Sequence, residues 1–167
     1  EYSRSYEELL TAWQGPERAS KDFMFKDFFA EIKACFDDEA GVHISNEKQL
    51  AQESKDLFLV CYRFMQDASA DNLYDIISSL KQQICAEKEI LVAAFEQKLL
   101  SAGYNPALMY ENLVSVKELS VAYYEVTNDF PRITIADIPE SISNVKYDIN
   151  FTGMSKYAVQ ELIKRKK

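Results

Sequence analysis

The stretch KDFMFKDFFAEIKAC, Lys21 to Cys35, sets Asp22, Glu31 and Lys33 among aromatic and aliphatic residues. Its two aromatic-rich segments, Lys21–Phe25 and Phe28–Ala34, read as strands. The polar pair Lys26-Asp27 between them reads as the turn of a hairpin. In an antiparallel pair turning there, opposed residues have numbers that sum to 53, whether the loop holds two residues or four. Asp22 then faces Glu31, with Cβ atoms ~4.5–5.5 Å apart. Lys33, two residues beyond Glu31, shares their face because side chains alternate along a strand.

Two carboxylates directly opposed on a sheet repel one another. A divalent cation would remove the conflict, and hard oxygen ligands suit Mg²⁺ or Mn²⁺. Lys-Asp lacks the glycine that tight hairpins favour, so the register rests on the centre of the turn alone. The plainer reading is a solvated face, since alternating charges on a strand commonly point to water. The element order adds weight to the first: helix, strand with Asp, strand with Glu-x-Lys, helix, apolar strand.

Length and composition set the frame. With 167 residues, 47% hydrophobic and 28% charged, the chain suits one globular domain with a proper core. The apolar run near Leu57–Met65 is far too short for a membrane span, and no basic-then-apolar start reads as a signal peptide, which points to the cytoplasm. Cys35, Cys61 and Cys85 have no metal-like spacing and read as small buried hydrophobes in a reducing compartment. The net charge of −8 weighs against a surface devoted to nucleic acid.

Along the chain, Tyr6–Leu10 reads as a short helix entered at Ser5 and stopped before Gly15-Pro16. Ile44–Leu50 reads as a strand end followed by a Ser- or Asn-capped helix. Leu57–Tyr62 lacks polar alternation, as a strand covered on both faces should. Leu73, Ile76, Ile77, Leu80 and Ile84 keep helical spacing, as do Ile90, Leu91, Ala94, Phe95 and Leu99, with Gly103 and Pro106 closing the second helix. Leu119–Val126 returns to strand. Val145, Tyr147, Ile149 and Phe151 alternate with polar residues as a half-exposed strand. Tyr157–Lys167 reads as a terminal helix with a basic end. The expected class is α/β or α+β with a mixed sheet flanked by helices.

The arrangement resembles the PD-(D/E)XK nuclease superfamily, and within it a bacterial family of PD-(D/E)XK motif proteins associated with restriction and phage-defence gene clusters. The residues behind the resemblance are Trp13-Gln14-Gly15-Pro16, Asp22-Phe23, Glu31-Ile32-Lys33, Ile44–Leu50, Tyr123–Thr134 and Ile138–Phe151. It implies a single domain, with a restriction-endonuclease-like core over 1–70 and a C-terminal helical and β extension over 71–167. It also implies metal-dependent hydrolysis of phosphodiester bonds in DNA, double-stranded, with other restriction or defence proteins and a second copy of the chain as further partners. Asp22, Glu31 and the Ile32 carbonyl would hold Mg²⁺, with Mn²⁺ as a substitute. Lys33 would position the attacking water and steady charge on the phosphate, and Gln49, at the start of the next helix, would add a polar contact. Lys21, not proline, precedes Asp22. Members of the family carry a further acidic residue on an N-terminal helix, so the chain is expected to lack that segment, with Glu8 as the substitute. The alternative implied by these departures is a nuclease-fold module that binds nucleic acid or scaffolds a defence complex without cleaving. A protein-interaction domain with a solvated Glu31/Lys33 face is the plainest reading.

Other features favour structural roles. His43, the one histidine, reads as a turn residue after Gly41. Asp37-Asp38-Glu39 reads as a solvated loop and Lys164–Lys167 as a helix end. Tyr123, Tyr124, Phe130 and Tyr147 read as sheet and core packing, although aromatic rings of this kind also stack on bases. Cys35, close to the candidate site, reads as structural.

Overall fold

The computed structural model describes residues 4–106, 114–160 and 162. The chain forms two compact units, one of Glu1–Ala19 with Met65–Lys117 and the other of Ser20–Phe64 with Glu118–Lys167. Each is discontinuous in sequence. No helix among the described residues is long and apolar enough to cross a membrane.

The second unit is built around a mixed sheet. Its strands are β1 (Phe23–Met24), β2 (Phe28–Phe36), β4 (Asp56–Gln66), β5 (Val116–Glu125) and β7 (Ala158–Val159), in the order β1-β2-β4-β5-β7. The hairpin has the expected register: Phe23 pairs with Ala30 and Met24 with Phe29, both summing to 53. It closes through the Phe25 N–H to the Phe28 carbonyl at 2.9 Å. Neither Lys26 nor Asp27 takes a positive φ, so this turn has no need of glycine.

β2 and β4 run parallel, from Phe28 opposite Asp56 to Phe36 opposite Phe64. Parallel neighbours need a crossover, usually a helix. Here it is made by β3 (Gly41–Ile44) and a run of turns at 47–50. β3 pairs antiparallel with β6 (Tyr147–Asn150) as a separate two-stranded sheet. A Cβ at Gly41 would stand 2.1 Å from the Ile149 carbonyl oxygen, so only glycine lets the two strands approach this closely.

Both faces of β4 are buried from Leu57 to Cys61, which explains the unbroken apolar run. On one face Phe29 and Cys35 of β2 lie beside Leu57, Leu59 and Cys61, covered by Val42, Ile44 and Ile149 of the small sheet and by Leu50, Phe130 and Met154. Burying each large aliphatic side chain here stabilises the fold by ~1.5–3 kcal/mol. The opposite face buries Phe25, Phe28, Ala30, Phe58 and Val60, with Phe28 edge-on to Phe58 at 5.5 Å.

The first unit is helical: α1 (Tyr6–Ala12), α2 (Leu73–Lys88) and α3 (Leu91–Ser101). The Ser5 hydroxyl accepts the Glu8 N–H to start α1. Asn72 and Asp75 form a reciprocal capping box on α2. α3 ends at Gly103, φ +88°, with the Tyr104 N–H on the Leu99 carbonyl and the Gly103 N–H on the Leu100 carbonyl. The expected apolar stripes meet: Ile77, Ile84, Phe95 and Leu10 share a core with Trp13, Leu80 and Leu99 around it.

Several expectations are corrected. Ile44 is followed by turns, not by a capped helix, because Asn46 spends its side chain on the Lys48 N–H two residues on, as asparagine does in turns. Tyr157 closes a short 3₁₀ turn, Met154–Tyr157, and β7 follows, so no helix starts there. Tyr157 is instead held in the core, its hydroxyl on the Asp129 carbonyl. Lys164–Lys167 lie outside the described residues. His43 sits in β3, not in a turn, opposite Asp148, with Nδ1 and Oδ1 2.8 Å apart. Cys85 is exposed on α2, while Cys35 and Cys61 are buried as expected.

Candidate active site

The hairpin ladder stops at Phe23 because the backbone bends at Lys21 and Asp22. The bend turns Asp22 toward β2, where its Oδ2 accepts the Ile32 N–H at 2.8 Å. The Asp22 carboxylate thus takes the edge position that a longer β1 would have filled with backbone. A strand residue directs its N–H and C=O to the same side, so the Ile32 carbonyl faces that edge too.

Glu31 is buried, with 1% of its surface exposed. Burial pushes its carboxyl up to about 7, and the Asp22 charge adds to the rise, while Lys33 and then Lys21 oppose it. The Lys33 Nζ lies 3.0 Å from Glu31 Oε1. That contact has ion-pair distance without hydrogen-bond alignment, so Oε1 remains a buried acceptor with no aligned donor. Lys33 directs a hydrogen bond elsewhere, to Gln49 Oε1 at 3.0 Å. Gln49 is itself fixed, since the same oxygen accepts the Ser45 N–H at 2.8 Å.

The structure therefore brings Asp22, Ile32, Glu31, Lys33 and Gln49 together at one end of the β1–β2 edge. Gln49 reaches the group from a turn, not from a helix start. Glu8 belongs to α1 in the other unit, where its carboxylate pairs with Arg4.

Lys21 was readable only as a departure from proline, yet it is 1% exposed, and its Nζ donates to the Lys48 carbonyl. Glu53 Oε1 lies 3.6 Å away. Burial holds this ammonium below the usual lysine range, against the opposing pull of Glu53 and Glu31. One sequence sign was available: a lysine inside an aromatic strand end, next to a candidate ligand.

Among the described residues no three His, Cys, Asp or Glu side chains gather as a metal cluster. The donor set is two carboxylates and a backbone carbonyl. Mg²⁺ is commonly held by one or two carboxylates and keeps several waters, so this set fits it. Glu31 Oε1 is buried beside the Lys33 ammonium without an aligned hydrogen bond, which leaves it acceptor capacity for a metal ligand bond.

A shallow groove of about 190 Å³ opens on the same sheet face, lined by Cys61, Arg63, Ser120, Ala122, Tyr124 and Phe151. Cys61 is the register neighbour of Lys33, and Arg63 lies two residues further along β4. The Arg63 guanidinium stands 4.8 Å over the Phe151 ring and donates to the Glu39 carbonyl at 3.0 Å. Cys61 is not a nucleophile here, since burial pushes its thiol up to about 12.

A family model described as "Putative PD-(D/E)XK family member, (DUF4420)" matches residues 3–152. No curated protein and no solved structure gives a significant match.

Proposed function

The chain belongs to this PD-(D/E)XK family, and we propose that it is a metal-dependent DNA endonuclease, hydrolysing phosphodiester bonds in a bacterial restriction or phage-defence system. The observation that carries the proposal is the convergence of Asp22, Glu31, Lys33 and Gln49 around the Ile32 backbone. The defence setting rests on the family resemblance.

Asp22, Glu31 and the Ile32 carbonyl would hold Mg²⁺, or Mn²⁺ in its place. Held there, such an ion would supply polarisation of a phosphoryl oxygen and a water of lowered pKa. Glu31 must be ionised to ligate, and its carboxyl at about 7 places that change near physiological pH. Lys33 carries three N–H donors. One engages Gln49 and the head rests beside Glu31, which leaves donor capacity for charge developing on a phosphate. Arg63, fixed over Phe151, supplies a second cation along the same face for the flanking phosphodiester.

The test is cleavage of duplex DNA with Mg²⁺ or Mn²⁺ by the unaltered chain, Lys33→Ala and Asp22→Ala. The expected result is cleavage by the first and a loss of ~10²–10³-fold in the variants. Equal activity in all three removes the catalytic assignment.

A second reading, a nuclease-fold module that binds nucleic acid or scaffolds a defence complex without cleaving, is favoured by the net charge of −8 and by the small acidic set. Binding of DNA with no metal-dependent cleavage would select it.

A further inference from the structure

Lys21 stands directly before Asp22, and its ammonium ends on the carbonyl of Lys48, the residue directly before Gln49. We infer that Lys21 is a positioning residue: by holding the Lys48 carbonyl it seats the turn that presents Gln49 to Lys33.

The turn is held locally by the Lys48 N–H on Asn46 Oδ1 and the Ser45 N–H on Gln49 Oε1, and by burial of Leu50, but none of these contacts engages the Lys48 carbonyl. Its own backbone bonds are long, 3.3 Å from the Gln49 N–H to the Asn46 carbonyl and 3.2 Å from the Ala51 N–H to the Lys48 carbonyl. Removing an ammonium from water costs several kcal/mol unless donors and charge are matched. An apolar residue would fill the same space without that penalty, so the lysine is explained by what it holds. Glu53, 43% exposed in its side chain and 3.6 Å away, is too distant for a hydrogen bond. The Lys48 carbonyl is the directed partner.

The consequence falls on Lys33. Its ammonium is shared between Glu31 and Gln49, each at 3.0 Å. Without a seated Gln49 it would lose its second partner and rest on the Glu31 carboxylate alone, which ties up both the cation and the ligand oxygen. Lys21 therefore keeps Lys33 available to a phosphate and Glu31 available to a metal. The Lys21 charge also opposes the rise of the Glu31 carboxyl.

This role rests on the hydrolytic reading, but its first test does not. In Lys21→Met, amide exchange of residues 45–51, followed by mass spectrometry, should rise ~10-fold while β2 and β4 stay protected. In Glu53→Gln it should not change. Unchanged exchange in Lys21→Met, or an equal rise in Glu53→Gln, overturns the anchoring. If Lys21→Met does not fold, NMR of the unaltered chain decides: a slowly exchanging Lys21 NH₃⁺ signal supports the bond, and its absence at low temperature and mildly acidic pH refutes it.

The second test is catalytic. Lys21→Met should lower kcat up to ~10²-fold with KM little changed. The double variant Lys21→Met/Gln49→Leu should lose no more than Gln49→Leu alone, because both act through one contact. Additive losses overturn the route through Gln49. If the unaltered chain cleaves no DNA, the hydrolytic reading fails, and the exchange and NMR results still decide the anchor.

Discussion

Glu31 and Lys33 hold their charged ends 3.0 Å apart on one face of β2, yet each is governed by a different neighbour. Burial and the Asp22 charge act on Glu31, while Gln49 takes the hydrogen bond of Lys33. The contact is an ion pair whose two members are each drawn toward a further partner.

Stability should fall with rising pH because of Glu31. Its folded carboxyl is raised from the ordinary 4.5 to about 7, so the folded chain binds this proton more tightly than the unfolded chain. The contribution is fully present below 4.5 and lost as pH rises through 7. Over that window it amounts to about 3 kcal/mol. Urea unfolding at about pH 5 and about pH 8 measures it, and Glu31→Gln should flatten the difference. A slope unchanged by Glu31→Gln would assign it elsewhere.

Metal should act in the opposite direction. Mg²⁺ or Mn²⁺ binds the ionised carboxylates, so added metal should raise the melting temperature more at about pH 8 than at about pH 5. A ligand at 100 times its Kd stabilises by about 2.7 kcal/mol. Asp22→Asn should remove most of the shift, which calorimetry with metal alone can follow.

Arg63→Ala should weaken binding of duplex DNA without altering metal affinity, because Arg63 stands on β4 beyond the register neighbour of Lys33. Measured without Mg²⁺ or Mn²⁺, the slope of log affinity against log salt should shrink by about 1. An unchanged slope would show that the groove beside Phe151 carries no phosphate.

Gly41→Ala should destabilise the small sheet by about 1–3 kcal/mol or prevent folding. The new methyl would meet the Ile149 carbonyl oxygen at 2.1 Å, a backbone atom that cannot rotate away. Because β3 leads into the turn that carries Gln49, activity should fall with stability. Thermal unfolding of Gly41→Ala checks this, with Gly153→Ala, where φ +81° adds backbone strain but the methyl meets no atom, as the comparison for strain without a clash.

Most of the second unit's hairpin was legible from residues 21–35 alone. The aromatic segments and the centre of the turn set a register in which 23 faces 30, as found. The bend that ends the ladder was not legible, and it changes what Asp22 does: the carboxylate reaches the Ile32 N–H instead of lying flat opposite Glu31. The helix expected after Ile44 failed for a related reason. Ser45 and Asn46 read as helix caps, but the same side chains also make turns, and here Asn46 takes the Lys48 N–H two residues on. The helix expected from Tyr157 does not start there because Tyr157 found a core and β5 offered an edge to Ala158 and Val159; residues 163–167 lie outside the described ones.

By itself, the sequence determined what depends on near neighbours: the apolar run of β4, the stripes and caps of α2 and α3, and the grouping of Asp22, Glu31 and Lys33 on one hairpin. Tertiary structure alone decided that β3 pairs with β6 across a hundred residues, that Gln49 arrives from a turn, and that Lys21 is buried against the Lys48 carbonyl. The physical reason is range. Periodicity and turn chemistry act over a few residues, whereas the burial of Glu31 and Lys21, and so their shifted affinities for protons, exists only once distant strands close over them.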